Sequence, residues 1–402
     1  MNSINTIFID GTQSEQALEF ATLVDQIQEI PEGTTENSLV HSIKSLIEAE
    51  KLDEVYTQFS GHVATLLKLD DNKVLPGFNL YLVQLKSAKG DLLPALVKSC
   101  IENLSQSESD NGYAKLAMLE TLYNFTTHAE LRFEVLAGII NIASKHNITK
   151  SILNLTAIKS EAFQAICIDS QRQLFVMLHK ALKDSFKKEA YEYLLHYLYT
   201  FTEPCAEAQE LAKQAIFEAV SIPEVFNFES LTQAHPVQKL SGQPIHELAM
   251  IFLNGDVASY KSFIKKHCDI ASSFDQAAGL HKMRLLTVTS LGAEYIGSPI
   301  SYSALAEAML LEAEDINSEV ELYIIDVIRA GLIEAKLNQL EGSIVITRST
   351  HRSFDKSQWQ KLHEEFTKWN NSLETVAKTV QSAIEQTSDS SKPSLPLVTA
   401  GN

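Results

Sequence analysis

Apolar residues recur at helical spacing along most of the chain. Phe133, Leu136, Ile140 and Ala143 step by three and four, as do Tyr191, Leu194, Leu195 and Leu198, and Ile245, Leu248, Ala249 and Phe252. Each set lays an apolar stripe along one face of a helix of three or four turns. The breaks between such segments are short: Pro76-Gly77, the polar stretch Ser105–Gly112, His146-Asn147, Pro204 and Pro223. Short connections between helices of similar length place neighbours antiparallel, so helix pairs stack on one another. No fixed-period repeat is present. The pattern predicts an all-α architecture, with an irregular α-solenoid over about residues 15–270 behind an N-terminal extension of residues 1–14.

The periodicity changes after Gly297. Ile300-Ser301-Tyr302-Ser303 offers capping hydroxyls to a short helix over Ala304–Leu311, and Asp315 to Ser318 cap a second over Glu319–Ala330, which ends at Gly331. Leu332–Asn338 and Ser343–Thr347 then alternate as strands joined through Glu341-Gly342, a hairpin. Helix, turn, helix, hairpin is the order of a winged helix, expected over 271–350. Beyond it, Trp359, Leu362, Phe366, Trp369, Leu373, Val376, Val380 and Ala383 step by three and four without a slip. That a/d seam, held for more than three heptads, predicts one long helix over 351–386 that bundles with helices of partner subunits. Folding back on the winged helix is the alternative. Residues 387–402, rich in Ser and Pro, are expected to be disordered.

Charge narrows the possible partners. The chain has a formal net charge of -18, and phosphate contacts demand lysine and arginine, so duplex binding by the protein as a whole is disfavoured. Residues 1–60 carry eleven acids against Lys44 and Lys51. On the second winged helix Val320, Ile324 and Val327 form the inward face, and Glu319, Tyr323 and Asp326 are expected outward, where they repel phosphate and argue against sequence-specific DNA reading. Local basic surfaces survive at Arg348, His351, Arg352 and Lys356, and at Lys261, Lys265, Lys266 and His267. Either a solvated, salt-bridged face or contact with RNA or an acidic partner accounts for them.

Catalytic signatures fail. His246-Glu247 begins an HExxH-like string, but Met250 stands where the second ligand belongs, and Thr367 does so after His363-Glu364. Ser262 and Lys265 satisfy SxxK, a constraint met by chance in many chains. No catalytic residue, metal, cofactor or small-molecule substrate is expected. Cys100, Cys167, Cys205 and Cys268 lie in helical patterns without an adjacent histidine, so buried free thiols are expected. No apolar run of the roughly 18 residues needed to span a bilayer occurs, and the acidic start lacks the order of a signal peptide. A reducing cytosol is the expected compartment.

Helical repeats leading into a winged helix, with Leu305-Ala306, Val320, Ile324, Ile328-Arg329-Ala330-Gly331-Leu332-Ile333 and Ala335-Lys336-Leu337-Asn338-Gln339, resemble the PCI domain, here about 190–352 as a whole. That family includes subunits of the proteasome lid, the signalosome and translation initiation factor 3. The core pattern alone admits all three, as well as an RNA-binding winged-helix protein. Thr6-Ile7-Phe8-Ile9-Asp10, Ile245-His246-Glu247-Leu248, Ala258-Ser259-Tyr260, Lys282-Met283-Arg284-Leu285-Leu286-Thr287 and Ser349-Thr350-His351-Arg352-Ser353-Phe354 followed by Gln358-Trp359 are similar to initiation factor 3 members. The resemblance is dense over about 240–375 and thin over 15–230. It implies a cytoplasmic, non-catalytic scaffold that helps hold the multi-subunit factor together. The implied partners are its other PCI and MPN-type subunits and, through the complex, the small ribosomal subunit, supporting recruitment of mRNA and initiator tRNA.

Overall fold

The computed structural model describes residues 11–390, apart from 31–37, 50, 89–91, 151, 153–166, 202–204, 313–315 and 355. The string Thr6–Asp10, the break at Pro204, the capping candidate Asp315, and the tail from 391 onward lie outside the described residues. Two compact units are present. The first is built from residues up to Val225 with Ser230–Glu247 and Asp269–Ala278, and the second from Phe226–Glu229, Leu248–Cys268 and the chain from Gly279 onward. A consecutive split at 270, as the periodicity suggests, is not how the units divide. Phe228 stacks on Phe252 at 5.0 Å and Phe252 meets Tyr260 edge-on at 5.5 Å, aromatic contacts that join separate segments of the second unit.

The first unit contains α1 (Gln13–Ile27), α2 (Leu39–Glu48), α3 (Leu52–His62), a 3-10 turn (Val63–Lys68), α4 (Asp71–Ser87), α5 (Leu92–Gln106), α6 (Gly112–Phe125), α7 (Ala129–Lys145), α8 (Ile168–Leu182), α9 (Lys187–Tyr199) and α10 (Ala206–Ser221). Thr12 and Glu15 start α1 with a reciprocal capping box. The Asp25 carboxylate then accepts the first free amides of α2, Leu39 N at 2.9 Å and Val40 N at 3.1 Å, tying two consecutive helices together. Packing partners follow the solenoid pattern: α1 lies on α2 and α4, α4 on α6, α5 on α7, and α7 on α8, which pairs with α9. The predicted stripes are the buried faces. Tyr191, Leu194 and Leu198 are almost wholly covered, as are Leu136, Ile140 and Ala143.

The expected break at Pro76-Gly77 is instead the interior of α4. Pro76, the sixth residue of α4, forfeits one i→i−4 amide bond within the helix, and Gly77 serves close packing: a Cβ there would sit 3.0 Å from Leu23 Cδ2 and 3.3 Å from Leu66 Cδ2. Cys100 is buried as expected, its thiol pushed up to about 12 by that burial, but Cys167, Cys205 and Cys268 are exposed. The first two stand at helix N-cap positions, where periodicity continues while the side chain turns to solvent.

Short helices α11 (Glu229–Gln233) and α12 (His235–Gln238), then α13 (Pro244–Asn254), α14 (Val257–Lys266) and α15 (Cys268–Ala271), lead to α16 (Gln276–Glu294). The winged helix comprises α16, β1 (Pro299–Ser301), α17 (Tyr302–Met309), α18 (Ile316–Arg329), β2 (Ile333–Asn338) and β3 (Ser343–Ser349). Its sheet has the order β1-β3-β2, all antiparallel, with Ile300 opposite Ile344 and Leu337 opposite Ile344 on the other side. Strand β1 is missing from the sequence reading because its three residues are too few to show alternation; Ser301 nonetheless caps α17 as expected. Leu285, Val288, Leu305, Val320, Ile324, Val327, Ile344 and Ile346 form this unit's core. Among the described residues no helix is long and apolar enough to cross a membrane.

Candidate assembly site

The chain leaves the winged helix through a strap, residues 349–354, before entering α19 (Lys356–Ser390). Nearly every residue of the strap is fastened. Ser349 Oγ donates to Thr289 O at 2.9 Å, and Thr350 donates to Leu332 O through both its amide and its hydroxyl. Ser353 Oγ donates to Asn254 Oδ1 at 3.1 Å. Arg352 is the centre of the clamp. Its Nη1 donates to Gly255 O at 2.9 Å and Ser290 Oγ at 3.3 Å, and its Nη2 donates to Phe252 O and to Ile251 O at 3.3 Å. These carbonyls lie at the C-terminal end of α13, where unpaired acceptors and the negative end of the helix dipole both favour a cation. Burial draws the guanidinium down to about 10, against the pull of Asp256, which leaves it charged at neutral pH.

This placement corrects the expectation for the basic group. Arg352 is spent inside the fold, so its charge is not offered to RNA or an acidic partner. Arg348 is exposed but paired with Glu334 at 3.0 Å. His351 lies against Phe354, with ring centroids 6.0 Å apart, and Lys356 opens α19 in solvent. Upstream, Lys265 and Lys266 occupy the last turn of α14, complementing its dipole, while His267 packs on Phe263 at 4.9 Å.

Helix α19 presents the seam. Trp359, Phe366, Trp369, Leu373, Val376 and Val380 are each half exposed or more, and Leu362 is 37% exposed. Among the described residues, Trp359 alone of the seam has an aromatic neighbour, the Phe354 ring edge-on at 4.8 Å. Every described position from 359 to 384 is exposed. The helix ends at Ser390 rather than 386.

The outer face of α18 also differs from the expectation. Val320, Ile324 and Val327 are fully buried, as predicted. Tyr323 and Asp326 instead flank α16: Arg284 Nη1 donates to Tyr323 Oη at 2.6 Å, and His281 Nε2 lies 3.6 Å from Asp326. The exposed face is Leu322, Ile325 and Arg329. At 100° per residue these positions stand opposite the buried three, so a helical wheel finds them where pairwise reading does not. The face carries a single basic side chain, Arg329, paired with Asp326 at 3.3 Å, beside two apolar ones, and not the set of basic and amide side chains of a major-groove reader. Among the described residues no three His, Cys, Asp or Glu side chains gather as a metal site.

A helical array closed by a winged helix is the architecture of a PCI-domain protein, and the PCI domain description matches residues 257–348. The chain is 30% identical to translation initiation factor 3 subunit M of Phaeosphaeria nodorum over 396 residues, covering 94% of this chain and 88% of the relative. It is 29% identical to subunit M of Nematostella vectensis over 391 residues, 96% and 99% covered, and 28% identical to the human subunit M over 384, 93% and 98% covered. The chain belongs to the eukaryotic translation initiation factor 3 subunit M family.

Proposed function

We propose that this chain is a scaffold subunit of translation initiation factor 3, without catalytic activity, which joins the complex through the seam of α19. Its PCI domain would then run over about 190–352, with α19 as the assembly helix and the solenoid ahead of both. Its direct neighbours are PCI and MPN-type subunits whose own helices bundle with α19. The assembled factor acts in the cytoplasm on the small ribosomal subunit, in recruiting mRNA and initiator tRNA. The observation that supports this reading is the seam itself: two tryptophans, a phenylalanine and a run of aliphatics lie uncovered along one edge of a single helix, a stripe that soluble monomers avoid. Lys356 and His351 stand at the root of the same helix and are the remaining candidates for an acidic or RNA contact.

The test is Trp369→Ala with Leu373→Ala in the full chain. Each large side chain contributes about 1.5–3 kcal/mol when covered, so association should weaken by several kcal/mol, on the order of a hot-spot loss. Helicity and melting should stay close to wild type, because neither residue touches a core. Co-purification with other factor subunits is the readout. Normal incorporation of the folded double variant would refute the assembly role of the seam.

A further inference from the structure

Away from the PCI region, the first unit holds a cleft of about 450 Å³ between the end of α8, the start of α9 and the second half of α10. That volume is in the range of about 300–1,000 Å³ at which protein clefts take ligands. Ala190, Phe217 and Ile222 line it, Lys183 and Lys187 stand at its mouth, and Glu218 lies within. Four lysines, 180, 183, 187 and 188, fall between the end of α8 and the start of α9 against the two acids Asp184 and Glu189, in a chain whose net charge is -18. The Glu218 carboxylate is already held by Gln214 Nε2 at 2.8 Å, Lys183 Nζ at 3.3 Å and the buried His179 Nε2 at 3.5 Å. His179 in turn is fixed by the Ala190 carbonyl, 3.0 Å from Nδ1. Lys187 has no ion pair among the described residues.

We infer that this cleft docks an acidic peptide segment carrying one large apolar side chain. The apolar side chain enters between Phe217 and Ile222, and a neighbouring carboxylate is received between Lys183 and Lys187. The chemistry favours peptide over RNA for two reasons. A nucleic acid brings a phosphate with every nucleotide and calls for a track of cations, whereas the positive charge here is confined to the junction of α8 and α9. The cleft also presents a carboxylate, Glu218, toward whatever enters; a single peptide carboxylate seated at the rim avoids it, while a polyphosphate strand crossing the opening does not. The site lies well removed in sequence from the α19 seam, and the inference does not depend on that seam's role.

The experiment measures fluorescence anisotropy of a labelled Gly-Ser-Glu-Leu-Ser-Gly peptide, one carboxylate beside one leucine, against the full chain. Two variants accompany it: Lys187→Glu, which reverses charge at the mouth, and Ser221→Trp, which fills the cleft from an exposed lining position. Both should weaken binding by roughly tenfold or more, since like charge and lost space act directly on the docked segment. Replacing the peptide leucine by serine should weaken it similarly. Lys187 sits on a solvent-exposed turn, so that variant stays folded and remains decisive even should the tryptophan disturb α10. The inference is overturned by an absence of saturable binding, by unchanged affinity in the Lys187→Glu chain, by indifference to the leucine, or by oligouridylate binding at this cleft in place of the peptide.

Discussion

Arg352 and Arg348 are four residues apart and equally basic in sequence, yet the structure gives them opposite fates, and that contrast can be measured. Replacing Arg352 by Leu removes four hydrogen bonds and leaves the Ile251, Phe252 and Gly255 carbonyls without their charged donor. A hydrogen bond to a charged group is worth about 1.5–3 kcal/mol. The bonds share one guanidinium and are not additive, and water will reach some of the freed carbonyls, so the expected loss is about 3–5 kcal/mol. Lysine at 352 keeps the charge but reaches a single acceptor, and should recover less than half of it. Replacing Arg348 by Leu breaks one ion pair whose partners are 70% and 64% exposed, and should cost less than about 1 kcal/mol.

Calorimetric melting of the full chain is the first assay. At about 2–4 °C per kcal/mol for a unit of this size, Arg352→Leu should lower the transition of the second unit by roughly 10 °C. Hydrogen exchange followed by mass spectrometry is the second. Protection should fall at the end of α13, in the strap and around Ser290, with the first unit unaffected. Equal melting temperatures and exchange patterns for the Arg352→Leu and Arg348→Leu chains would refute the clamp.

Gly292→Val should cost about 2–3 kcal/mol in denaturant titrations by overpacking, because a Cβ there would meet Ile346 Cδ1 at 2.7 Å. Gly61→Ala, in open space inside α3, should instead stabilise by up to about 1 kcal/mol. His179→Gln should show a pH-dependent defect in melting. Burial lowers the His179 pKa, but hydrogen bonds to Glu218 and to the Ala190 carbonyl more than offset this and leave it raised, while Glu218 is held below its ordinary range. The raised His179 pKa means its stabilisation is full below the ordinary histidine value of 6.5 and is lost as pH rises through the folded value. The Glu218 contribution is lost in the other direction, as pH falls through its depressed value. The melting gap should therefore be widest in mildly acidic solution and narrow as pH rises through the folded His179 value; a gap that widens with pH would contradict this.

Local signals read correctly wherever one face of one element decides the outcome. The stripes of α7, α9 and α13 and the hairpin turn at Gly342 with its positive φ of 55° are of this kind. Signals mislead where tertiary packing outvotes them. Pro76-Gly77 reads as a stop, yet the helix continues because the glycine admits Leu23 and Leu66. Arg352 reads as surface charge, yet carbonyls from residues about 100 positions earlier enclose it. No periodicity carries that pairing. The acceptors are backbone atoms, which leave no mark on the residue types around them. The cleft beside α9 is similarly hidden, since its lysines are close in sequence but its walls come from a helix some thirty residues on.

The strap and α19 together show how one segment combines constraint and incompleteness. A helix of 35 residues is about 52 Å long at 1.5 Å per residue. Single helices in water are held mainly by what packs on them, and here the apolar edge, beyond the contact of Trp359 with Phe354, is exposed at its described positions. Hydrogen bonds from Ser349, Thr350, Arg352 and Ser353 fix the root just ahead of that edge. With the root fixed, a partner helix meets a seam whose direction is already set over its first turns, and ordering that segment no longer opposes association. A loosened root would leave the same residues and the same apolar area, but the helix would swing. The strap therefore ought to matter to assembly without touching a partner. Arg352→Leu should weaken incorporation into the complex even in conditions where the second unit stays folded, and Trp369→Ala with Leu373→Ala in that background should add less than it does alone. Fully additive losses would mean that root and seam act independently.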